Sequence, residues 1–262
     1  MILKLRNHTA GFFSCLNLIL FQIIDFLFLY KEIPSEIDCC QTFDWYKKNS
    51  SDKLFYDFFN RNIDKSIDIE NLKISLPNIK EVDGNIQFEE YKKLDLTYFY
   101  ELIDIYFKPT NKILNIKNEL IKKYEINYEN TCVLFLRGND KATECNIPDY
   151  YEYINEAKKI LENNSNIRFL IQSDETEFIE TMKKEFQNNI IFYDEIRHIS
   201  KDKNKTVDNH GRTPEYNLKY IYYFYAIVLI MSECKHVICN TGNICFWIAL
   251  CRKHTENFIQ LK

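Results

Sequence analysis

Between Cys132 and Asn146 the chain reads C-V-L-F-L-R-G-N-D-K-A-T-E-C-N. Arg137 offers a planar fork of donors that matches a pair of phosphate oxygens, and Lys141 adds a compact positive charge. Glu144, close to both, can accept a proton from an attacking hydroxyl. The same residues would also suit a surface turn closed by ordinary ion pairs, and spacing alone divides the two readings evenly. Two more strand ends carry polar groups. Asp174 follows R-F-L-I-Q-S, where it can accept hydrogen bonds from a ribose or a base edge, or simply cap a helix. Thr241-Gly242-Asn243 separates an apolar strand from a helix. Free backbone N–H groups and the helix dipole make an anion site there, Gly242 permits close approach, and a plain cap is the alternative. With Arg137 on a neighbouring strand end, a bound diphosphate accounts better for the set. The phosphate-loop, dinucleotide and α/β-hydrolase glycine motifs do not occur.

The elements that must hold these residues are legible from periodicity. Cys132–Leu136 is a short apolar run, the mark of a strand buried on both faces. A helix from about Pro148 to Glu162 follows, then strand Ile167–Gln172 and a helix from Thr176 to Phe186 capped by Ser173 or Asp174. Next come strand Asn189–Tyr193 and a polar loop, Ile196–Thr213, carrying Arg197, His198, His210 and Arg212. A helix from Pro214 to Cys234, strand His236–Cys239, helix Ile244–Arg252 and strand Phe258–Leu261 complete the alternation. Such alternation predicts an α/β fold with a parallel sheet flanked by helices, whose ligands bind at the carboxyl edge. The first half is less regular. A strand within Met1–Leu5, a glycine turn, a helix Cys15–Tyr30 and a strand Ile37–Phe43 make a βαβ start. Trp45–Asn62 shows aromatic residues at helical spacing, Ile67–Phe88 is irregular with an Asp-Gly turn at Asp83, and Leu94–Phe107 and Thr110–Tyr124 are helices. With 262 residues, two halves are expected, 1–128 and 129–262.

Composition narrows the partners. The net charge of −4, with no long basic run, argues against nucleic acid. The nine cysteines are scattered, form no C-x-x-C pair and suit small core positions in a reducing, cytoplasmic setting rather than a zinc site or a disulfide framework. Phe12–Tyr30 is strongly apolar, but Asn17, Gln22 and Asp25 interrupt it, so a buried helix is expected and no membrane span. His198 and His210 sit in a polar loop, where solvated histidines are ordinary.

The segment F-L-R-G-N-D-K-A-T-E resembles the H-x-R-R-T-D-K segment, followed by Glu, of α-1,6-fucosyltransferases and the bacterial nodulation fucosyltransferases, relatives of the protein O-fucosyltransferases. L-I-M-S-E-C-K-H-V-I-C-N-T-G-N is similar to that family's third motif, I-R-F-L-I-Q-S-D-E to the segment before its paired acids, and N-H-T-A-G-F-F-S-C-L-N to its opening glycine-phenylalanine loop. The resemblance implies a GT-B-like pair of Rossmann-type halves, the first on the acceptor side and the second binding the nucleotide sugar, with no metal or other cofactor. It implies an inverting transfer of fucose from GDP-fucose to a glycan or protein hydroxyl. Arg137 would hold the diphosphate, Asp140 would structure the loop, Glu144 would be the base with Lys141 beside it, and Asp174 with Thr241, Gly242 and Asn243 would bind the nucleotide. Phe135 stands where the family has its motif His, Gly138 where it has a second Arg, and Ile227 near the acid that meets guanine. Glu144 lies one residue closer to the Lys, which leaves Asp140 and Glu175 as rival bases. Another nucleotide sugar, or an inactive nucleotide- or carbohydrate-binding module, are the alternative readings.

Overall fold

A computed structural model of the chain describes residues 1–60, 85–208 and 213–262. The first half opens with β1 (Ile2–Lys4), α1 (Phe12–Tyr30) and β2 (Glu36–Asp38), and β1 pairs with β2 in parallel. A one-turn helix α2 (Phe55–Phe58) runs into β3 (Phe59–Asn60), which pairs antiparallel with β4 (Lys108–Pro109). Helices α3 (Thr97–Tyr106) and α4 (Asn111–Tyr124) close this half. The helix expected over Trp45–Asn62 is therefore limited to Phe55–Phe58 and a single turn at Asp44–Tyr46. Its aromatic spacing reflects irregular core packing instead. Phe58 stacks on Tyr222, and Phe59 meets Phe107 and Tyr225 edge-on. The turn at Asp83 lies outside the described residues.

The second half alternates as expected: β5 (Thr131–Leu136), α5 (Tyr150–Asn163), β6 (Arg168–Ser173), α6 (Thr176–Glu185), β7 (Asn189–Ile190), α7 (Pro214–Glu233), β8 (His236–Asn240), α8 (Asn243–Arg252) and β9 (Phe258–Leu261). The strands form one parallel sheet in the order β7-β6-β5-β8-β9. All six residues of β5 are buried, which explains its unbroken apolar run. Each of Val133, Leu134, Phe135 and Leu136 contributes roughly 1.5–3 kcal/mol by leaving water.

Strand order matters for function. From β5 the chain adds β6 and β7 on one side, then crosses to place β8 and β9 on the other. The crevice beyond the carboxyl ends of β5 and β8 is thus a topological switch point, where open α/β sheets bind ligands. Register brings the ends level: Leu136 pairs with Ser173, and Phe135 with Cys239.

Local chemistry sets the helix starts. Asp149 and Glu152 form a capping box on α5, and Thr213 caps α7 ahead of Pro214, each satisfying first-turn N–H groups. The cap expected from Ser173 or Asp174 on α6 does not form. Glu175 holds that position without a side-chain bond, while Ser173 Oγ accepts from the Glu175 N–H at 2.9 Å. Helices α1 and α3 pack on α8, and α4 packs on α7. Among the described residues α1 alone has the length and apolarity to cross a membrane, and 67% of its apolar window is buried inside the protein. Its buried Asn17 donates to Asn243 Oδ1 at 2.6 Å and accepts from the Trp247 indole at 2.6 Å. That exchange gives the polar residue inside the helix a packing role. No disulfide occurs among the described residues, and six of the nine cysteines are buried.

Candidate active site

Arg137 lies one residue past β5. Its N–H donates to Asn240 Oδ1 at 2.9 Å, and its carbonyl accepts from Asn240 Nδ2 at 2.8 Å. The amide of the last β8 residue thus extends the sheet ladder and fixes where Arg137 emerges. Its side chain is 18% exposed, ion-paired through Nη1 to Asp174 and through Nη2 to Asp140 at 2.5 Å. Burial works against the guanidinium charge, but Asp174 and Asp140 outweigh it and hold the group protonated above its ordinary range. Burial also raises the Asp140 carboxyl, with Arg137 opposing. Asp174 accepts in addition from the Gly138 N–H at 2.7 Å and from Asn139 Nδ2 at 3.1 Å. Its oxygens are occupied by the β5 turn, so it positions Arg137 more directly than it could meet a nucleotide.

The turn is closed from behind by Glu175, which accepts from the Asn139 N–H at 2.9 Å and from the Tyr150 hydroxyl at 2.5 Å. A Cβ on Gly138 would stand 2.2 Å from the Glu175 carboxyl. Lys141 donates to Glu144 Oε2 at 2.6 Å and to Gln87 Oε1 at 2.8 Å, and sits over the Phe88 ring. Glu144 is 47% exposed, the most open of the three candidate bases, with Asp140 at 34%. Asp140 is tied to Arg137, and Glu175 is sealed behind the turn.

Gly242 has φ +151°, a backbone that a side chain would strain. It precedes α8, whose start carries no side-chain cap, so first-turn N–H groups point outward. Tyr91 braces the glycine, its hydroxyl donating to the Gly242 carbonyl at 3.1 Å. Arg137, Asp140, Lys141, Glu144, Asp174, Gly242 and Asn243 all line one cavity of about 290 Å³, to which the opening loop Thr9–Gly11 and the first turn of α1, Phe12–Ser14, also contribute. Thr241 does not line it; its Oγ1 accepts from Gln260 Nε2 at 3.2 Å. The Asn243 side chain is engaged by Asn17.

Neither a family model nor a curated protein matches the sequence. Among solved structures, NodZ α-1,6-fucosyltransferase soaked with GDP-fucose aligns over 95% of this chain and 91% of its own, with TM-score 0.54 and 11% identity. The chain has a NodZ-like fold. A structure of fucosyltransferase NodZ from Bradyrhizobium aligns over 94% of this chain and 90% of its own, with TM-score 0.46 and 10% identity. The parallel five-stranded sheet flanked by helices is thereby the GT-B-like α/β arrangement. Among the described residues the large sheet belongs to the second half, and the first contributes the β1–β2 and β3–β4 pairs.

Several lining residues carried no role in the sequence. Arg197 faces the cavity from the loop after β7, with Asp208, Trp45 and Tyr220 around it. Gln87 arrives from the turn before Tyr91, and Gln172 Oε1 is buried in the lining without a partner among the described residues. The only signal for Arg197 was its place in a charged loop beside His198. That histidine instead bonds Thr176 through Nδ1 at 2.7 Å, away from the cavity. His210 and Arg212 lie outside the described residues.

Proposed function

We propose that the protein is an inverting glycosyltransferase that takes a nucleoside-diphosphate sugar, with GDP-fucose the first candidate, and passes the sugar to a hydroxyl of a glycan or protein. The observation that carries this reading is the meeting, at one switch-point cavity, of Arg137, Lys141 and the uncapped α8 start with a half-exposed carboxylate, Glu144. The NodZ-like fold, seen in a protein soaked with GDP-fucose, supports the donor class.

In the reaction the acceptor oxygen bonds the anomeric carbon as the bond from that carbon to the phosphate oxygen breaks. The acceptor proton passes to Glu144, and the negative charge released collects on the diphosphate. Arg137 and the α8 N–H groups stabilise that charge where it develops, in a site that the opening loop shields from water. Lys141, 2.6 Å from Glu144, holds the base in place. These positive groups serve without a metal ion. A wider groove of about 950 Å³ along α1 joins the cavity at Ser14, Gln87 and Asn243 and offers the acceptor an approach.

A second reading, with another nucleotide sugar as donor, is favoured by α7. Ile227 is fully buried, and the α7 residues that line the cavity are Tyr220, Ile221 and Phe224. None of them supplies an acid to meet guanine. Transfer and donor hydrolysis measured with GDP-fucose and with UDP-sugars, in the presence of a chelator, test the proposal. Turnover that Glu144→Gln abolishes supports it; absence of turnover with every donor, or turnover indifferent to Glu144→Gln, overturns it.

A further inference from the structure

Gly138 leaves the β5 turn with a single arginine, because Glu175 fills the space that a side chain at this position would need. A diphosphate carries at least two negative charges and favours more than one fork of donors. Among the described residues, the cationic side chains that line the cavity are Arg137, Lys141 and Arg197. Lys141 is engaged by Glu144 and Gln87.

Arg197 is built in unusually firmly for a loop residue. Its side chain is 7% exposed. Nη1 donates to Asn217 Oδ1 at 2.5 Å, Nη2 pairs with Asp208, and the guanidinium lies over the Tyr220 ring. Asn217 is itself anchored, its Nδ2 donating to the Asp208 carbonyl at 2.8 Å and to the Trp45 carbonyl at 3.0 Å. Each guanidinium bond uses one of the two hydrogens on its nitrogen. Arg137, Arg197 and Asp208 line the same cavity, and the Asp208 charge adds to those that keep Arg137 protonated. Across the cavity, the Gly11 backbone approaches the same group, a Cβ there falling 3.6 Å from Asp208 Oδ2.

We infer that Arg197 is the second arginine of the diphosphate site, gripping the phosphates from the β7–α7 loop while Arg137 grips them from the sheet. Asp208 and Asn217 are its positioning residues, fixing one edge of the guanidinium so that the other edge meets the ligand. This rests on the donor class proposed above. A resident carboxylate opposes a bound anion, and a fork already aligned by that carboxylate offsets the opposition by sparing side-chain entropy. The structural alternative is that Arg197 merely ties its loop to α7 and Trp45.

Calorimetric titration of GDP, UDP and guanosine into the wild type, Arg197→Lys and Arg197→Gln separates the two. Lys keeps charge and loses the fork. The inference expects GDP or UDP affinity to fall about 10- to 100-fold in Arg197→Lys, the range of charge-assisted hydrogen bonds, with the weaker guanosine binding unchanged. A purely structural tie would weaken nucleoside and nucleotide in proportion. Equal losses for both, or full diphosphate affinity in Arg197→Lys, overturn the role of Arg197 while leaving the donor class standing. If the wild type binds neither diphosphate, the donor reading fails and this inference fails with it. A thermal midpoint on each variant shows whether it is folded, and if Gln unfolds the chain the Lys variant decides.

Discussion

Replacing Gly138 by alanine sets the added Cβ 2.2 Å from Cδ and Oε1 of Glu175 and 2.6 Å from its Cγ. The obstacle is the end of a side chain, so the clash is relieved if Glu175 swings away. Glu175 is 1% exposed and cannot move without releasing the Asn139 N–H and the Tyr150 hydroxyl. Two hydrogen bonds to a charged acceptor are worth about 1.5–3 kcal/mol each, so Gly138→Ala should cost roughly 3–6 kcal/mol if neither is replaced by water. Urea unfolding of the wild type, Gly138→Ala, Glu175→Ala and the double variant forms a complete cycle. Once Glu175 is shortened there is nothing to displace, and the alanine at Gly138 should then cost less than about 1 kcal/mol. The same cost in both backgrounds, or a nearly neutral Gly138→Ala, would refute the claim that Glu175 closes the place of a second arginine.

Two further outcomes follow from the same geometry. Glu144→Gln should keep diphosphate affinity, because Glu144 sits at the cavity mouth, while turnover falls about 10²- to 10⁴-fold; loss of GDP binding as well would make it a donor-site residue instead. The folded pKa of His198 is lowered from 6.5 by burial, with Glu180 and Glu177 opposing, so the unfolded chain binds that proton more readily. The stability contributed by the neutral ring is full above about pH 6.5 and is lost as pH falls through the folded value. The urea midpoint of the wild type should therefore drop relative to His198→Gln between pH 8 and pH 5, and a constant difference would contradict it.

The second half was readable because its strands are short apolar runs that end abruptly in charge. That pattern located Arg137, Asp140, Lys141 and Glu144 at one sheet edge, and the structure places all four on one cavity. Strand order is not written in local periodicity, so the switch point between β5 and β8 emerged only from pairing. Asp174 reads in the sequence as a helix cap or a ligand acceptor; long-range bonds to Arg137 and the β5 turn decide against the cap. Thr241 looked like a donor beside Gly242, but the residue just past β8 is drawn to Gln260 of β9. Arg197 was invisible for the opposite reason. A charged loop reads as solvated until the chain's return to Asn217 and Trp45 buries it. In Trp45–Asn62 the aromatic spacing mimicked a helix because tertiary ring packing, not helical period, sets those positions.

The proposed transfer requires that the end of β5 hold a diphosphate. Titration of GDP into the wild type and Arg137→Lys, followed by calorimetry, tests it most directly. Lys preserves the charge and discards the planar fork that Asp174 and Asp140 orient, so the account predicts measurable binding to the wild type and a loss of about 10- to 100-fold in the variant. Equal affinity in the two proteins would contradict it.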